Sequence, residues 1–506
     1  MVATSETIAI VGAEARLVQV EVHIGPGIPS FTIVGLAARS VKEAEQRTRA
    51  ALLSSEQTWP SARITANLAP GALRKEGTHF DLPLALGLLL ERRAADPARL
   101  EGYVSLGELA LDGSVRPVRG VLAAAIAAYR AGKRGLICPA DNSAEAALVE
   151  GLEVIPVTSL GQCLAWLKGG EAPSPPAPHP VEVGPGEDLR EVRGHQAAKR
   201  ALEMAAAGNH NLLLVGPPGS GKTMLARRLP GILPAMTRDE SLDVTRVYSV
   251  AGLLSEKAGL ISQRPFRSPH HNVSVPGLIG GGSGFARPGE ASLAHRGVLF
   301  LDELTLYRRD ALETLRAPLE EGVVRLARSG AFVSYPCRIC LVAAMNPCPC
   351  GYLGDALRAC RCSLNHIDAY RHKLSGPLLD RIDLHVTMGR TPSSDLMGLP
   401  QGETSAAVAA RVGAARRHQN ERYGKSETTN ASCTKAQLEA TIEIRARARE
   451  HLARAIETLG LSGRGVDRVL RVARTIADLA SEGEVSSDHV AEALSYRRGT
   501  TEGVAA

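Results

Sequence analysis

Aromatic side chains, long apolar runs and an export signal are scarce or missing in this sequence. Phe, Trp and Tyr together make up 3% of the 506 residues, which argues against base stacking as the main mode of any nucleic-acid contact. No apolar run is long enough to cross a membrane. The first residues also lack the basic and apolar regions of a secretory signal. We therefore expect a cytoplasmic protein with no membrane partner.

Charge and cysteine content indicate which partners and which thiol chemistry to expect. The net charge of +6 at pH 7 permits a polyanionic partner but does not demand one. The nine cysteines are odd in number and several are clustered. Without an export signal, such cysteines are expected to be reduced thiols or metal ligands rather than disulfides. The length leaves room for about two to four domains.

A glycine-rich stretch lies between the apolar run Leu212–Val215 and a helical pattern. Its residues are Gly216, Pro217, Pro218, Gly219, Ser220, Gly221, Lys222 and Thr223. They fit the G-x-x-x-x-G-K-[ST] pattern of a P-loop, whose backbone N–H groups surround a phosphate at a helix N-terminus. We expect ATP to bind here, with Lys222 on the β- and γ-phosphates and the Thr223 hydroxyl on Mg²⁺.

Two later apolar runs end in polar residues that suit the same site. The first runs over 297–301 and leads to Asp302 and Glu303, as in a Walker B strand. Asp302 is expected to hold Mg²⁺, and Glu303 to orient and deprotonate the attacking water. The second leads to Asn346, which resembles sensor 1 of the AAA+ ATPases and would bridge the γ-phosphate and the water. An asparagine that only caps a turn is the alternative.

The first 168 residues alternate strand and helix patterns, which predicts an α/β layer structure. The stretch 73–81 resembles the nucleophile turn of Lon-type proteases, and 107–120 resembles the strand pair that leads to their catalytic lysine. His79 stands where the serine belongs, and Leu122 where the lysine belongs. A serine–lysine dyad needs a hydroxyl and a base, so the resemblance implies a Lon-like fold without peptidase activity. We expect His79 to be structural, and a new catalytic role for it is the alternative.

Composition divides the chain into parts. Residues 1–168 form the Lon-like region, and the proline-dense stretch 169–187 is expected to be an extended spacer. Residues 188–390 hold the ATPase motifs. From 391 to 506 a polar connection is followed by helical patterns, expected at 405–423, 435–459, 463–481 and 487–496.

Two arginines resemble residues that complete such sites. Arg381 is similar to the arginine finger of AAA+ proteins of the magnesium-chelatase kind, which reaches the γ-phosphate of the neighbouring subunit. An ion pair with Asp380 or Asp383 in the same chain is the alternative. Arg464 resembles the sensor 2 arginine of the lid, which contacts the γ-phosphate in cis. As a cation at the start of a helix it is disfavoured by the dipole, which hints at function.

Three signatures extend the resemblance over nearly the whole chain. They are 266–271 (FRSPHH), 278–282 (LIGGG) and 287–295 (RPGEASLAH). With them the sequence is similar to the magnesium-chelatase-like AAA+ ATPases of the ComM/YifB type. The resemblance implies an α/β fold class: a Lon-like domain, a P-loop AAA+ domain and a C-terminal helical lid.

The same resemblance implies a function. It implies a hexameric, ATP-driven DNA motor, in ComM a branch-migration helicase of natural transformation. The alternative is a chelatase-like ATPase that remodels a protein partner for metal insertion. The fused Lon-like domain favours the motor, because chelatase ATPase subunits lack it.

A predicted hairpin and a group of cysteines leave their interpretation open. The stretch 323–336 reads as a hairpin whose Arg325 and Arg328 could contact DNA phosphates, although a solvated hairpin is nearly as plausible. Two C-x-C pairs follow, formed by Cys348, Cys350, Cys360 and Cys362. Four thiolates could bind Zn²⁺; free thiols and redox chemistry are the alternatives.

Overall fold

The structure is a computed structural model that describes residues 2–175, 187–254, 259–282, 286–328, 331–391, 402–424 and 427–498. Most of the predicted spacer at 169–187 and of the polar connection after residue 391 therefore lies outside the described residues. In the described part of the chain, no helix combines the length and the apolar character that a membrane crossing requires.

The N-terminal part is built on a mixed seven-stranded sheet. Its strands and the adjoining short hairpin are β1 (Ala3–Val11), β2 (Glu14–Gly25), β3 (Ser30–Val34), β4 (Arg63–Ala69), β5 (Tyr103–Ser105), β6 (Glu108–Leu109), β7 (Val115–Arg116), β8 (Gly135–Pro139) and β9 (Glu153–Val157). The sheet order is β3-β4-β2-β1-β5-β8-β9. β1, β2 and β4 pair antiparallel, and β1, β5, β8 and β9 pair parallel.

Helices cover this sheet. They are α1 (Arg39–Lys42), α2 (Ala44–Ser54), α3 (Asp81–Glu91), α4 (Pro97–Leu100), α5 (Val121–Arg130), α6 (Ser143–Ala146) and α7 (Leu160–Leu167). α3 is buried along almost its whole length and packs on β1 and β2. An apolar helix of this kind is expected inside a core rather than at a surface.

His79 and Leu122 both lie in this core. The His79 Nε2 forms a 2.9 Å hydrogen bond with the carbonyl oxygen of Ile8, and burial lowers the pKa of the imidazole to about 4. Leu122 is fully buried. The two positions that carry the Lon-type dyad are thus occupied by packed side chains.

The central part contains a parallel five-stranded sheet in the order β11-β14-β17-β10-β18. Its strands and those of two hairpins are β10 (Leu212–Val215), β11 (Phe266–Arg267), β12 (Gly280–Gly281), β13 (Arg287–Pro288), β14 (Val298–Leu301), β15 (Val323–Arg328), β16 (Ala331–Pro336), β17 (Cys340–Met345) and β18 (Leu384–Thr387). β14 and β17 are wholly buried, which explains their continuous apolar sequences.

Helices lie around this sheet. They are α8 (Gln196–Gly208), α9 (Lys222–Arg227), α10 (Arg238–Ala251), α11 (Val275–Ile279), α12 (Glu290–Leu293), α13 (Arg309–Thr314), α14 (Arg316–Glu321), α15 (Leu364–Arg371) and α16 (Gly376–Leu379). The β12–β13 pair is a hairpin of the glycine-rich insertion between the P-loop and β14.

The C-terminal part is helical, with α17 (Ser405–Tyr423), α18 (Lys435–Thr441), α19 (Ala446–Leu459), α20 (Gly463–Leu479) and α21 (Ser487–Arg498). α17 and α20 pack on α8, so the helices share a core with the sheet. The Ser462 hydroxyl accepts a hydrogen bond from the Gly465 N–H at 3.2 Å, as expected of an N-cap.

The single helix predicted at 435–459 is wrong, because α18 and α19 are separate. Between them, Ile444 forms a parallel bridge with Val485. The Val485 N–H donates to the carbonyl of Glu443 at 2.7 Å, and the Arg445 N–H donates to the carbonyl of Val485 at 3.1 Å. The β-branched residues near this break favour an extended backbone, and a distant strand-like segment supplies the hydrogen bonds.

The N-terminal part contacts the central part at α10 and at the β15–β16 hairpin. The Ser249 hydroxyl of α10 donates to the Glu145 carboxylate at 2.6 Å. The β1–β2 turn lies against the β15–β16 hairpin, where the Ala13 N–H donates to the Ser334 carbonyl at 3.3 Å. A Cβ placed on Gly12 would lie 2.3 Å from that carbonyl oxygen, so the contact is close.

Candidate nucleotide-hydrolysis site

The predicted phosphate-binding and acidic residues meet at one edge of the five-stranded sheet. The P-loop follows β10, Asp302 follows β14 and Asn346 follows β17, and these three strands are parallel neighbours. The carboxyl ends of parallel strands form the usual ligand crevice of open α/β sheets. The topology therefore brings together groups that lie far apart in the sequence.

The Lys222 ammonium lies inside the P-loop. It donates to the carbonyl oxygens of Gly216 at 2.7 Å and Pro217 at 2.9 Å, and to the Asn346 Oδ1 at 3.3 Å. Burial lowers the pKa of Lys222, and the carboxylates of Asp302 and Glu303 oppose this lowering. The lysine thus links the loop to the tip of β17, a contact that neither motif predicts by itself.

Two glycines let the loop adopt its shape. Gly219 and Gly221 have φ angles of +78° and +82°, a left-handed conformation that costs little without a Cβ. A Cβ at either position would contact nothing within 4 Å. Glycine is therefore required at these positions for its backbone conformation and not for lack of space. This conformation fits a backbone that turns its N–H groups inward to an anion.

Thr223 and Asp302 form an oxygen pair beside the lysine. The Thr223 hydroxyl donates to the Asp302 Oδ2 at 2.8 Å. A hydroxyl and a carboxylate are hard oxygen ligands of the kind that Mg²⁺ takes beside a nucleotide. The residues present therefore fit a Mg²⁺ ion bound together with ATP.

Glu303 has an unusual backbone. Its φ of +50° is left-handed, which is uncommon for a residue with a side chain. Its N–H donates to the Asp302 Oδ1 at 2.9 Å. Its side chain is about half exposed, and one carboxylate oxygen lies 3.8 Å from the His271 Nδ1. An observed outlier of this type beside a phosphate site supports a catalytic interpretation.

His271, for which the sequence near Arg267 favours a phosphate-facing or interface role over a ligand role, is a neighbour of this site. Its ring contacts that of His270, with centroids 4.0 Å apart and the planes tilted by 34°, and it meets the Tyr307 ring edge-on. The Tyr307 hydroxyl donates to the Pro269 carbonyl at 2.6 Å. The 266–271 signature therefore places its last residue beside Glu303.

Arg381 and Arg464 lie at the opposite end of the sheet from the P-loop. Both line a cavity of about 830 Å³ whose wall includes Asn211, Gly297 and Ile339, residues that precede β10, β14 and β17. β10 alone spans four residues, or about 13 Å of extended chain. The cis contact expected of Arg464 does not fit this position, because the sheet separates it from the P-loop of its own chain.

The Arg381 guanidinium forms an ion pair with Glu320 at 2.5 Å. Among the described residues, Glu320 is the salt-bridge partner of Arg381. The sequence had offered Asp380 or Asp383 as the partner instead. Asp383 instead lies 3.0 Å from the His210 Nδ1. Further cations line the cavity: Arg264, Arg296, Arg338, Arg416, Arg468 and Arg471.

The predicted hairpin is present as β15 and β16. Arg325 pairs with Ser334 across the ladder, and its side chain is exposed and forms an ion pair with Glu321. Phe332 is 81% exposed. Nothing in the sequence indicated that this aromatic ring is exposed on the hairpin. The side chain of Arg328 lies outside the described residues.

The four cysteines predicted as possible zinc ligands come together. The Sγ atom of Cys348 lies 3.4 Å from that of Cys350 and 3.6 Å from that of Cys360, and the latter two are 3.6 Å apart. All four sulfur atoms, including that of Cys362, lie within 4.8 Å of one another. The arrangement can hold one metal ion.

Comparison with protein families divides the chain in the same order. The family described as "Subunit ChlI of Mg-chelatase" matches residues 20–142. "Magnesium chelatase, subunit ChlI" matches residues 188–396, and "Magnesium chelatase, subunit ChlI C-terminal" matches residues 402–497.

Two curated relatives match over almost their full length, and a third matches over a short part of its own. The competence protein ComM of Haemophilus influenzae is 43% identical over 500 residues, which cover 97% of this chain and 96% of that protein. The uncharacterized protein YifB of Escherichia coli is 41% identical over 494 residues, with coverage of 97% and 96%. A Lon protease of Methanosarcina barkeri is 28% identical over 166 residues, or 30% of this chain and 20% of that protein.

Proposed function

Because this chain belongs to the family of magnesium-chelatase-like AAA+ ATPases that includes ComM and YifB, we propose that it is an ATP-driven hexameric DNA motor. Its expected activity is branch migration in recombination or natural transformation. One observation carries the proposal of a ring: the phosphate-binding residues and Arg381 face opposite ends of one sheet. A neighbouring subunit is needed to bring such groups together.

We assign the hydrolytic roles from the contacts at the P-loop. Lys222 neutralises the β- and γ-phosphates, and Thr223 and Asp302 hold Mg²⁺, which supplies charge neutralisation at the phosphates when bound. Glu303 orients the attacking water and accepts its proton. Asn346, joined to Lys222 at 3.3 Å, positions the water against the γ-phosphate.

The neighbouring subunit completes this site. In a head-to-tail ring, the amino-terminal edge of one sheet faces the carboxyl-terminal edge of the next, and a heterologous contact of this kind closes into a ring. Arg381 and Arg464 would then both reach the γ-phosphate in trans. Glu320, which now pairs with Arg381, would be exchanged for phosphate oxygens, because a multiply charged anion is the stronger partner.

DNA is the proposed polymer. The name of ComM, a competence protein, is consistent with a DNA-related role. The exposed Arg325 and the 81% exposed Phe332 give the β15–β16 hairpin a cation and an aromatic ring, the two groups that grip a strand without sequence preference. We place these hairpins at the axis of the ring.

The proposal also covers organisation and location. Residues 1–168 form a Lon-like domain without the protease dyad, 169–187 a spacer, 188–390 the ATPase domain and 391–506 the lid. ATP and Mg²⁺ are the cofactors, and the four clustered cysteines bind Zn²⁺. The protein works in the cytoplasm.

The competing function is remodelling of a protein partner for metal insertion, which the chelatase origin of all three matching families favours. The deciding experiment measures ATP hydrolysis alone, with branched DNA, with single-stranded DNA and with RNA, together with migration of a labelled four-way junction. Stimulation and migration that both require Lys222 and Glu303 are expected. Active rings that no nucleic acid stimulates would refute the DNA motor and leave protein remodelling.

A further inference from the structure

The cysteine cluster is connected directly to the hydrolysis site. Cys348 follows Asn346 with one residue between them, and the Asn346 amide oxygen accepts from the Lys222 ammonium at 3.3 Å. Any group that fixes the chain at Cys348 therefore limits where the Asn346 side chain can lie.

The cluster has the dimensions of a tetrathiolate metal site. Four sulfur atoms bound tetrahedrally at about 2.3 Å from Zn²⁺ lie about 3.8 Å from one another. The Sγ–Sγ distances among Cys348, Cys350 and Cys360 are 3.4, 3.6 and 3.6 Å. Cys348 is buried and the other three are partly exposed, so the site can exchange metal with solvent.

The loop between the cysteine pairs also packs on the P-loop. Gly351 has a φ of +85°, and its N–H donates to the Cys348 carbonyl at 3.0 Å. A Cβ placed on Gly351 would lie 2.7 Å from the Pro218 Cδ and 3.8 Å from the Asn346 Cγ. A Cβ does not approach a carbon atom of another residue within 3.0 Å, so the two loops touch with no space for a side chain.

We propose that the four cysteines form a zinc site that holds the Asn346 turn against the P-loop in the position needed for hydrolysis. The proposal deepens the ATPase function and rests on it. Zinc bound to four thiolates has no open coordination position and takes no part in the chemistry. Its effect is to position Asn346. Nucleotide binding, which relies on Lys222 and the loop backbone, does not require the metal.

The first test measures the metal. The purified full-length protein should contain about one zinc per chain, and replacement by Co²⁺ should give the visible absorption of a tetrahedral thiolate complex. Cys360→Ser combined with Cys362→Ser should lose the metal while the buried Cys348 stays. Cys433→Ser is the matched control, because its sulfur donates to the Asn430 carbonyl at 3.2 Å, a bond that serine retains.

The second test separates positioning from simple folding. Gly351→Ala inserts a methyl group between the two loops without removing a ligand, so zinc should remain and the Kd for a nucleotide analogue should change little. Hydrolysis should fall by about tenfold to a hundredfold, the usual effect of a 1 Å misplacement. Gly354→Ala is the control: its φ of +77° imposes the same strain, but nothing lies within 4 Å.

The outcomes are separable. Absence of zinc and cobalt binding, with four titratable thiols in the cluster, would overturn the metal site. Retained zinc with equal hydrolysis in the Gly351→Ala and Gly354→Ala variants would overturn the positioning role. Failure of the wild-type protein to hydrolyse ATP would count against the proposed function, whereas the metal content would still decide the site.

Discussion

Mixed oligomers offer the sharpest test of catalysis across a subunit boundary. Arg381→Ala removes the group at the amino-terminal edge of the sheet, and Glu303→Gln removes the base at the carboxyl-terminal edge. Each variant alone should hydrolyse ATP at least about 10³-fold more slowly, the range found for arginine fingers. A shared interface can still combine the intact Glu303 of one subunit with the intact Arg381 of its neighbour.

The recovered activity follows from the geometry. With random assembly, a productive interface needs an Arg381→Ala subunit at the base position and a Glu303→Gln subunit at the finger position. For independent interfaces, the yield is the product of the two subunit fractions. It is therefore largest at equal mixing and amounts to about one quarter of the wild-type rate.

The assay follows ATP hydrolysis across mixing ratios after subunit exchange. A mixture of Lys222→Ala and Glu303→Gln is the control. Both residues act at the P-loop of one subunit, so no interface in that mixture is complete. A curve that peaks at equal mixing in the first pair and stays flat in the control is expected. Equal behaviour of the two mixtures would refute the assignment of Arg381 to the neighbouring site.

Three further outcomes are expected. Lys222→Ala should abolish ATP binding measured by calorimetry, because it removes the cation inside the P-loop. Glu303→Gln should bind ATP without hydrolysing it. Near-normal hydrolysis by the Glu303→Gln variant would show that Glu303 is not the base. Replacing Arg325 and Arg328 by alanine, or Phe332 by alanine, should weaken the stimulation of ATP hydrolysis by DNA while basal hydrolysis persists. In the wild-type protein this stimulation should fall steeply as the salt concentration rises, because phosphate contacts release counterions. The contribution of His79 to the unfolding free energy should fall by about 3 kcal/mol between pH 6.5 and pH 4, because the unfolded His79 takes up a proton while the folded one, with a pKa of about 4, is still half neutral at the lower pH. A His79→Gln variant should lose this part of the pH dependence in denaturant titrations, and an unchanged pH dependence would contradict this origin.

Motifs predicted the residues of the site better than their arrangement. The strand that ends at Asp302 and the loop that contains Lys222 were evident because apolar runs and glycines are local signals. The 2.8 Å contact between Thr223 and Asp302 confirms that they lie together. The contact of Gly351 with Pro218 could not be predicted, because it joins loops from different strands and leaves no periodic pattern.

Predictions from the sequence failed where contacts between distant segments override the local preference for a helix. The break between α18 and α19 depends on hydrogen bonds from the backbone near Val485, which a local helical pattern cannot reveal. The position of Arg464 depends on how the lid packs on α8. Its sequence resemblance predicted a phosphate-binding role but not the end of the sheet at which the arginine lies.

The contact between the β1–β2 turn and the β15–β16 hairpin restricts how a subunit can move. The bond from the Ala13 N–H to the Ser334 carbonyl is already 3.3 Å long, so a stretch of a few tenths of an ångström is enough to break it. If the hairpin moves with a DNA strand, as we propose, it must carry the N-terminal sheet along or release it each time it moves. In the first case the hairpin and the sheet move as one body, and viscous drag on the sheet opposes the movement.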